Sequence, residues 1–181
     1  MKKIIIALFV SAIGIALYSF TSPTKTPTEV KAEGGIKWIT WEQAVELNKT
    51  KPKKFVIDVY TDWCGWCKKM DKEIFSDPKI AAYVSENYYA VKLDAEQKPE
   101  ISFDGKTFKF VAQGNRGYHE FAAALLDGNM GYPTLVYLSE KFERTVVSPG
   151  YKDVPTLMKE LKFTGDEVYK KGSWDDYMKS K

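Results

Sequence analysis

The only two cysteines among 181 residues stand three positions apart in Asp62-Trp63-Cys64-Gly65-Trp66-Cys67-Lys68-Lys69, just after the apolar run Phe55 to Tyr60. That run is β-branched and aromatic and reads as a buried strand, whereas the residues from Cys64 onward carry helical signals. Two thiols within one helical turn can close a small disulfide ring and open it again. The first of them would sit at a helix N-terminus. There, unpaired backbone N–H groups and the positive end of the dipole favour a thiolate, the species that attacks disulfides. The segment therefore reads as a dithiol–disulfide redox site. A static structural disulfide is the competing reading, but such bridges gain most when they close long loops. Zinc would need about four ligands. With no second cysteine pair and a single histidine, His119, no metal is expected. His119 falls in an apolar stretch read as helical, as a surface or packed residue.

The N-terminus is a second strong signal. Met1-Lys2-Lys3 precedes seventeen uncharged, mostly apolar residues from Ile4 to Phe20, the pattern of an export signal, shorter than a full membrane span of about 20 residues. Tyr18-Ser19-Phe20-Thr21-Ser22 offers no good small-x-small cleavage site. Residues 1–20 thus read either as a signal peptide or as an N-terminal membrane anchor, and any membrane contact is expected only through them. Residues 21–35 are a polar linker without periodicity. A single domain over 36–164 and a C-terminal extension over 165–181 complete the expected division. Export to the periplasm or cell envelope would permit disulfide chemistry. The net charge of +3 comes with no basic stripe, so no nucleic-acid partner is expected.

Ile36 to Ile39 reads as a short strand. Thr40 and Gln43 then form a capping box for a helix to about Asn48, with Trp41, Ala44, Val45 and Leu47 available for packing. The strand from Phe55 contains Asp58, an acid that is costly inside such a run without a partner or a task. A helix follows from Cys64 to about Phe75, and Asp77-Pro78 opens another. Tyr88 to Leu93 reads as a strand parallel to the first, and Ile101 to Phe110 as a hairpin turning at Asp104-Gly105. The remaining elements are a helix from Gly117 to Leu126, strands at 135–138 and 145–147, and a helix over 153–163 with Leu157, Met158 and Leu161 inward. The sum is an α/β domain with a central mixed sheet, flanking helices and an inserted β-hairpin.

Asp58 in its strand, Trp63-Cys64-Gly65-Trp66-Cys67-Lys68 at the strand–helix junction, and Tyr132-Pro133-Thr134 before a later strand occur in the order found in the thioredoxin superfamily. The chain resembles that superfamily over roughly residues 36–163. Asp62-Trp63-Cys64 and Phe75-Ser76-Asp77-Pro78 are also similar to the C-terminal thioredoxin-like domain of the disulfide-interchange reductase DsbD. Departures are the Gly-Trp dipeptide between the cysteines, where thioredoxin has Gly-Pro, and Lys72 where thioredoxin has a kinking proline.

The resemblance implies a thioredoxin-like fold and a set of roles. Cys64 is the expected nucleophile and the more exposed thiol, and Cys67 the buried thiol that resolves the mixed disulfide. Asp58 matches the family's buried acid, with a raised pKa, helping to move the proton of Cys67. Pro133 matches the family's cis-proline, so that Tyr132 can pair through its backbone with an extended substrate; a trans proline in a simple turn is the other reading. Trp63 matches the family's packing tryptophan and, beside the thiols, is counted with Trp66, Tyr132 and Pro133 as an expected substrate-binding residue. Trp66 either contacts substrate or packs. The implied activity is exchange between protein thiols and disulfides, reductive or interchanging rather than oxidising. It needs no cofactor and is fed by a membrane-linked electron donor or another dithiol protein. A non-catalytic peptide-binding or chaperone-like module on the same fold is the alternative.

Overall fold

A computed structural model describes residues 35–179. The N-terminal apolar segment and nearly all of the linker lie outside the described residues. No helix among the described residues is long and apolar enough to cross a membrane.

Helix α1 (Trp41–Thr50) begins at Thr40, whose hydroxyl and the Gln43 side chain close the capping box. Strand β1 (Lys54–Tyr60) follows, then α2 (Gly65–Glu73) and α3 (Pro78–Asn87), the latter capped by Asp77 with proline in its first turn. Such a cap is worth about 1 kcal/mol. Strand β2 (Tyr88–Asp94) leads into two small hairpins, β3 (Ile101–Phe103) with β4 (Lys106–Phe108) and β5 (Phe110–Gln113) with β6 (Arg116–His119). Then come α4 (Glu120–Leu125), β7 (Thr134–Leu138), β8 (Arg144–Pro149), α5 (Val154–Gly165) and α6 (Trp174–Lys179).

Four strands make the central sheet in the order β2-β1-β7-β8, with β1 and β2 parallel and the other pairs antiparallel. The sheet is mixed, and helices cover both faces. Because side chains alternate along a strand, β1 sends Phe55, Ile57 and Val59 to one face. There they meet Trp41 and Ala44 of α1 and Phe121, Ala122 and Leu125 of α4. Val56 points to the other face, among Met70 of α2, Ile80 and Val84 of α3, and Leu157 and Leu161 of α5. Asp58 and Tyr60 share the phase of Val56, so the acid faces the layer that contains α2.

The structure corrects several sequence expectations. Residues 36–39 form only bridges, Ile39 pairing with Val91 beside β2. Leu47 is exposed, and Asn48 is buried in its place. The Asn48 side chain reaches the Glu140 carbonyl and accepts the Lys53 N–H, so the polar residue is the one whose bonds close the end of α1. Two hairpins, not one, are inserted after β2, and the region from Gly117 is a strand before it is a helix. Gly114, at φ 58°, supplies the left-handed turn residue of the second hairpin. A Cβ on Gly117 would lie 2.2 Å from the Phe110 ring and 2.3 Å from the Val111 carbonyl oxygen, so β6 can approach β5 only with glycine there. His119, fully buried, ends this strand and caps α4. Its Nδ1 accepts the Phe121 N–H, which leaves Nε2 to donate to the Pro99 carbonyl. Burial lowers its pKa, and the residue is a neutral structural cap.

The C-terminal residues pack on α5, where Tyr169, Trp174 and Tyr177 surround Phe163 at ring-centroid distances of 5.2–6.4 Å.

Candidate active site

The β1–α2 junction places the cysteines. Cys64 is the N-cap of α2, and its Sγ accepts the Cys67 N–H at 3.1 Å. The helix therefore offers one of its orphan donors to the first sulfur, the arrangement that stabilises negative charge there. The two cysteines are joined in a disulfide. Both are nearly covered: Cys64 is 5% exposed and Cys67 2%. The expected openness of Cys64 is thus slight in the disulfide form, since the ring folds its sulfur back onto the first turn of α2.

Two tryptophans flank the pair and stand out in solvent, Trp63 at 51% and Trp66 at 59% exposure. Trp63 is not the packing residue that the resemblance implied. Its ring meets Tyr132 edge-on at 5.9 Å, and the Arg116 guanidinium carbon lies 4.4 Å from its centroid. Trp66 leans on Tyr151 at 5.3 Å. The Trp63–Tyr132 contact brings the loop before β7 beside the cysteines. The Tyr132–Pro133 peptide in that loop is cis. Among the described residues neither the N–H nor the C=O of Tyr132 has a hydrogen-bond partner, although Pro133 accepts from Gly150.

Asp58, 1% exposed, lies on the β1 face covered by α2. Cys67, Met70 and Ile74 follow the i, i+3, i+7 spacing of one helix face. Their burial turns that face toward the sheet surface that carries Val56 and Asp58. Asp58 Oδ2 receives a 2.6 Å bond from Lys92 Nζ, while Oδ1 is buried without a partner. Lys92 is opposite Asp58 in the parallel register, its side chain 5% exposed, and also bridges Asp71 of α2. The rings of Trp38, Tyr60 and Phe75 lie 4.8–5.3 Å from its ammonium group. Burial raises the Asp58 pKa first and foremost; Lys92 opposes the rise, and Asp71 adds to it. A carboxyl so placed is poised to hold a proton that an exposed aspartate would lose.

Sequence reasoning found Cys64, Cys67, Asp58, Trp63, Trp66, Tyr132 and Pro133, and the fold gathers all of them at one end of the sheet. It missed Lys92, Asp71 and Arg116. No group of three or more His, Cys, Asp or Glu side chains suited to a metal ion occurs among the described residues.

A mixed sheet between helix layers, with a Cys-x-x-Cys disulfide where β1 meets α2 and a cis-proline loop beside it, defines a thioredoxin-like protein. The family model described as Thioredox_DsbH, protein of unknown function, DUF255, matches residues 24–164, and the chain belongs to that family. A solved structure of a DsbH oxidoreductase is similar over 81% of this chain and 95% of its own, with a TM-score of 0.52 at 17% identity. An uncharacterized protein of Caenorhabditis elegans is 28% identical over 88 residues, 48% of this chain and 12% of that protein. The thiol:disulfide interchange protein DsbD of Vibrio vulnificus is 33% identical over 85 residues, 45% of this chain and 14% of that protein. The chain thus matches only about an eighth of the length of these curated relatives.

Proposed function

We propose that this protein is an exported thiol–disulfide oxidoreductase acting on protein thiols and disulfides, in the reductive or interchanging direction. The observation that carries the reading is the Cys64–Cys67 disulfide at the N-terminus of α2, with Cys64 as the cap and exposed aromatic rings on both sides. In the reduced state the Cys64 thiolate attacks one sulfur of a substrate disulfide. The substrate's S–S bond breaks, one substrate thiolate departs and takes up a proton, and Cys64 is left in a mixed disulfide. Cys67 gives up its proton and attacks the Cys64 sulfur, which expels the second substrate thiolate and closes the disulfide. Two electrons pass from the protein dithiol to the substrate. A second dithiol protein, membrane-linked or free, returns them by the reverse chemistry.

Within this reading Asp58 helps to move the proton that Cys67 must lose. Tyr132 offers its unengaged N–H and C=O as a short β-bridge to an extended substrate. Trp63 and Trp66 supply contact area around the thiols. The relatedness to DsbD and the basic-apolar start of the chain support a place in the cell envelope.

The test is a trapping experiment on the full chain with Cys67→Ser. Mixed disulfides through Cys64 should accumulate with cysteine-bearing proteins and be released by excess dithiol. If none forms while the wild-type disulfide also resists a small dithiol, the redox function is refuted.

A further inference from the structure

The second inserted hairpin ends at the thiol site, and nothing in the exchange chemistry requires it there. Its turn at Gly114 and the tight β5–β6 approach at Gly117 aim Arg116 at the ring of Trp63, next in sequence to Cys64. The hairpin is held by the His119 N–H on the Ala95 carbonyl and the Glu120 N–H on the Lys109 carbonyl. A guanidinium resting on an indole keeps its charge and its in-plane N–H donors, the fork that suits a carboxylate. Arg116 forms no ion pair with any described residue. This holds although Asp62 precedes Trp63, and although the fields of Asp94 and Glu96 reach Tyr132. On the opposite flank, beside Trp66 and Tyr151, the cation Lys69 is already bridged to Glu73 at 2.7 Å. The two sides of the disulfide therefore differ in charge as well as in position.

We infer that Arg116 on the β5–β6 hairpin is a specificity residue that selects polypeptide substrates with an acidic side chain on one flank of the reactive cysteine. The inference rests on the exchange reaction proposed above.

The experiment uses the reduced full chain and short peptides whose single cysteine is capped with 2-mercaptoethanol as a mixed disulfide. The peptides carry Asp, Asn or Lys on one flank at a time. For one flank the wild type should show kcat/KM about fivefold higher for Asp than for Lys, the size of one well-formed exposed ion pair. The preference should shrink as salt rises. Arg116→Ala should bring the ratio close to one, and Arg116→Glu should invert it. An unchanged ratio in Arg116→Ala, or no charge preference at either flank in the wild type, overturns the inference while leaving the exchange reaction standing. No reaction with any peptide or with 2-hydroxyethyl disulfide removes the exchange reaction, and this inference with it.

Discussion

Two carboxyls are buried in the same layer between sheet and helices, and their surroundings differ. Glu160 of α5 has both oxygens engaged: Oε1 accepts from the Tyr137 hydroxyl at 2.7 Å and Oε2 from the Ser148 hydroxyl at 2.6 Å. Nearby, Lys152 is tied to the carbonyls of Ser148, Pro149 and Gly150. Asp58 has one engaged oxygen and one buried orphan, and its lysine is shared with a second acid. Burial raises both pKa values. What separates them is satisfaction: a buried acid with complete hydrogen bonding stabilises a fold, whereas one left incomplete is maintained at a cost. Glu160 reads as a structural pin between α5 and the sheet, whereas the unsatisfied Asp58 suits the proton-moving role proposed for it.

The largest test of that contrast is Asp58→Asn, which keeps the shape and removes the titration. Resolution of the mixed disulfide by Cys67 should slow about a hundredfold, the lower range for a positioned proton acceptor. Stability should hold or rise. Unchanged resolution in a stopped-flow assay would make Asp58 as structural as Glu160. Glu160→Ala should do the opposite. By stranding the Tyr137 and Ser148 hydroxyls it should cost about 2 kcal/mol in denaturant unfolding, while exchange rates stay near wild type. A Glu160→Ala protein of normal stability would show that its hydrogen bonds do not pin α5.

How much of this pair was legible beforehand depends on locality. The strand–helix junction, Asp58 in an apolar run and the Tyr132-Pro133 loop are contiguous patterns, and their residues announce themselves. Lys92 does not: a lysine in a strand reads as solvent-facing until the parallel register sets it opposite Asp58. The signal was present, because Tyr88, Ala90 and Lys92 share one phase of β2, and Tyr88 and Ala90 are buried. Arg116 was hidden because Gly117 to Leu126 is apolar enough to pass for one helix. The glycines at 114 and 117 are the local sign of a hairpin, but the contact to Trp63 is made by tertiary folding alone. Glu160 lies on the inward phase of α5 beside Leu157 and Leu161, where an acid reads as an interruption until its partners on β7 and β8 are seen.

Linkage sharpens the comparison further. Asp58 binds its proton more tightly folded than unfolded, where its pKa is near the ordinary 3.8. Below that value both states are protonated and the protonated acid contributes fully. As pH rises from there toward the raised folded value, the unfolded chain loses its proton first and stability falls. Subtracting the unfolding free energy of Asp58→Asn from that of wild type at each pH isolates this slope. The difference should decline above about pH 4, by about 1 kcal/mol per pH unit where steepest. Glu160→Gln should give a shallower decline, since Lys152, Ser148 and Tyr137 all oppose the rise in its pKa. A flat curve for Asp58 would mean that it ionises as easily in the fold as in the open chain.

The smallest effect tests the shared lysine. Asp71 acts on Asp58 in two ways: its charge disfavours a second nearby anion, and its hold on Lys92 divides the cation that compensates Asp58. Asp71→Asn removes both influences, so Asp58 should titrate lower and more of it should already be ionised at neutral pH. Asp71 is a quarter exposed, which weakens its field by solvent screening. The pH–rate profile for mixed-disulfide resolution should therefore move down by about half a pH unit. A merely structural contact between α2 and β2 would change unfolding without moving that profile, and an upward shift would mean that Asp71 had been the cation's means of reaching Asp58. A downward shift, lost again in the Asp58→Asn background, would assign the setting of Asp58 to the α2 carboxylate.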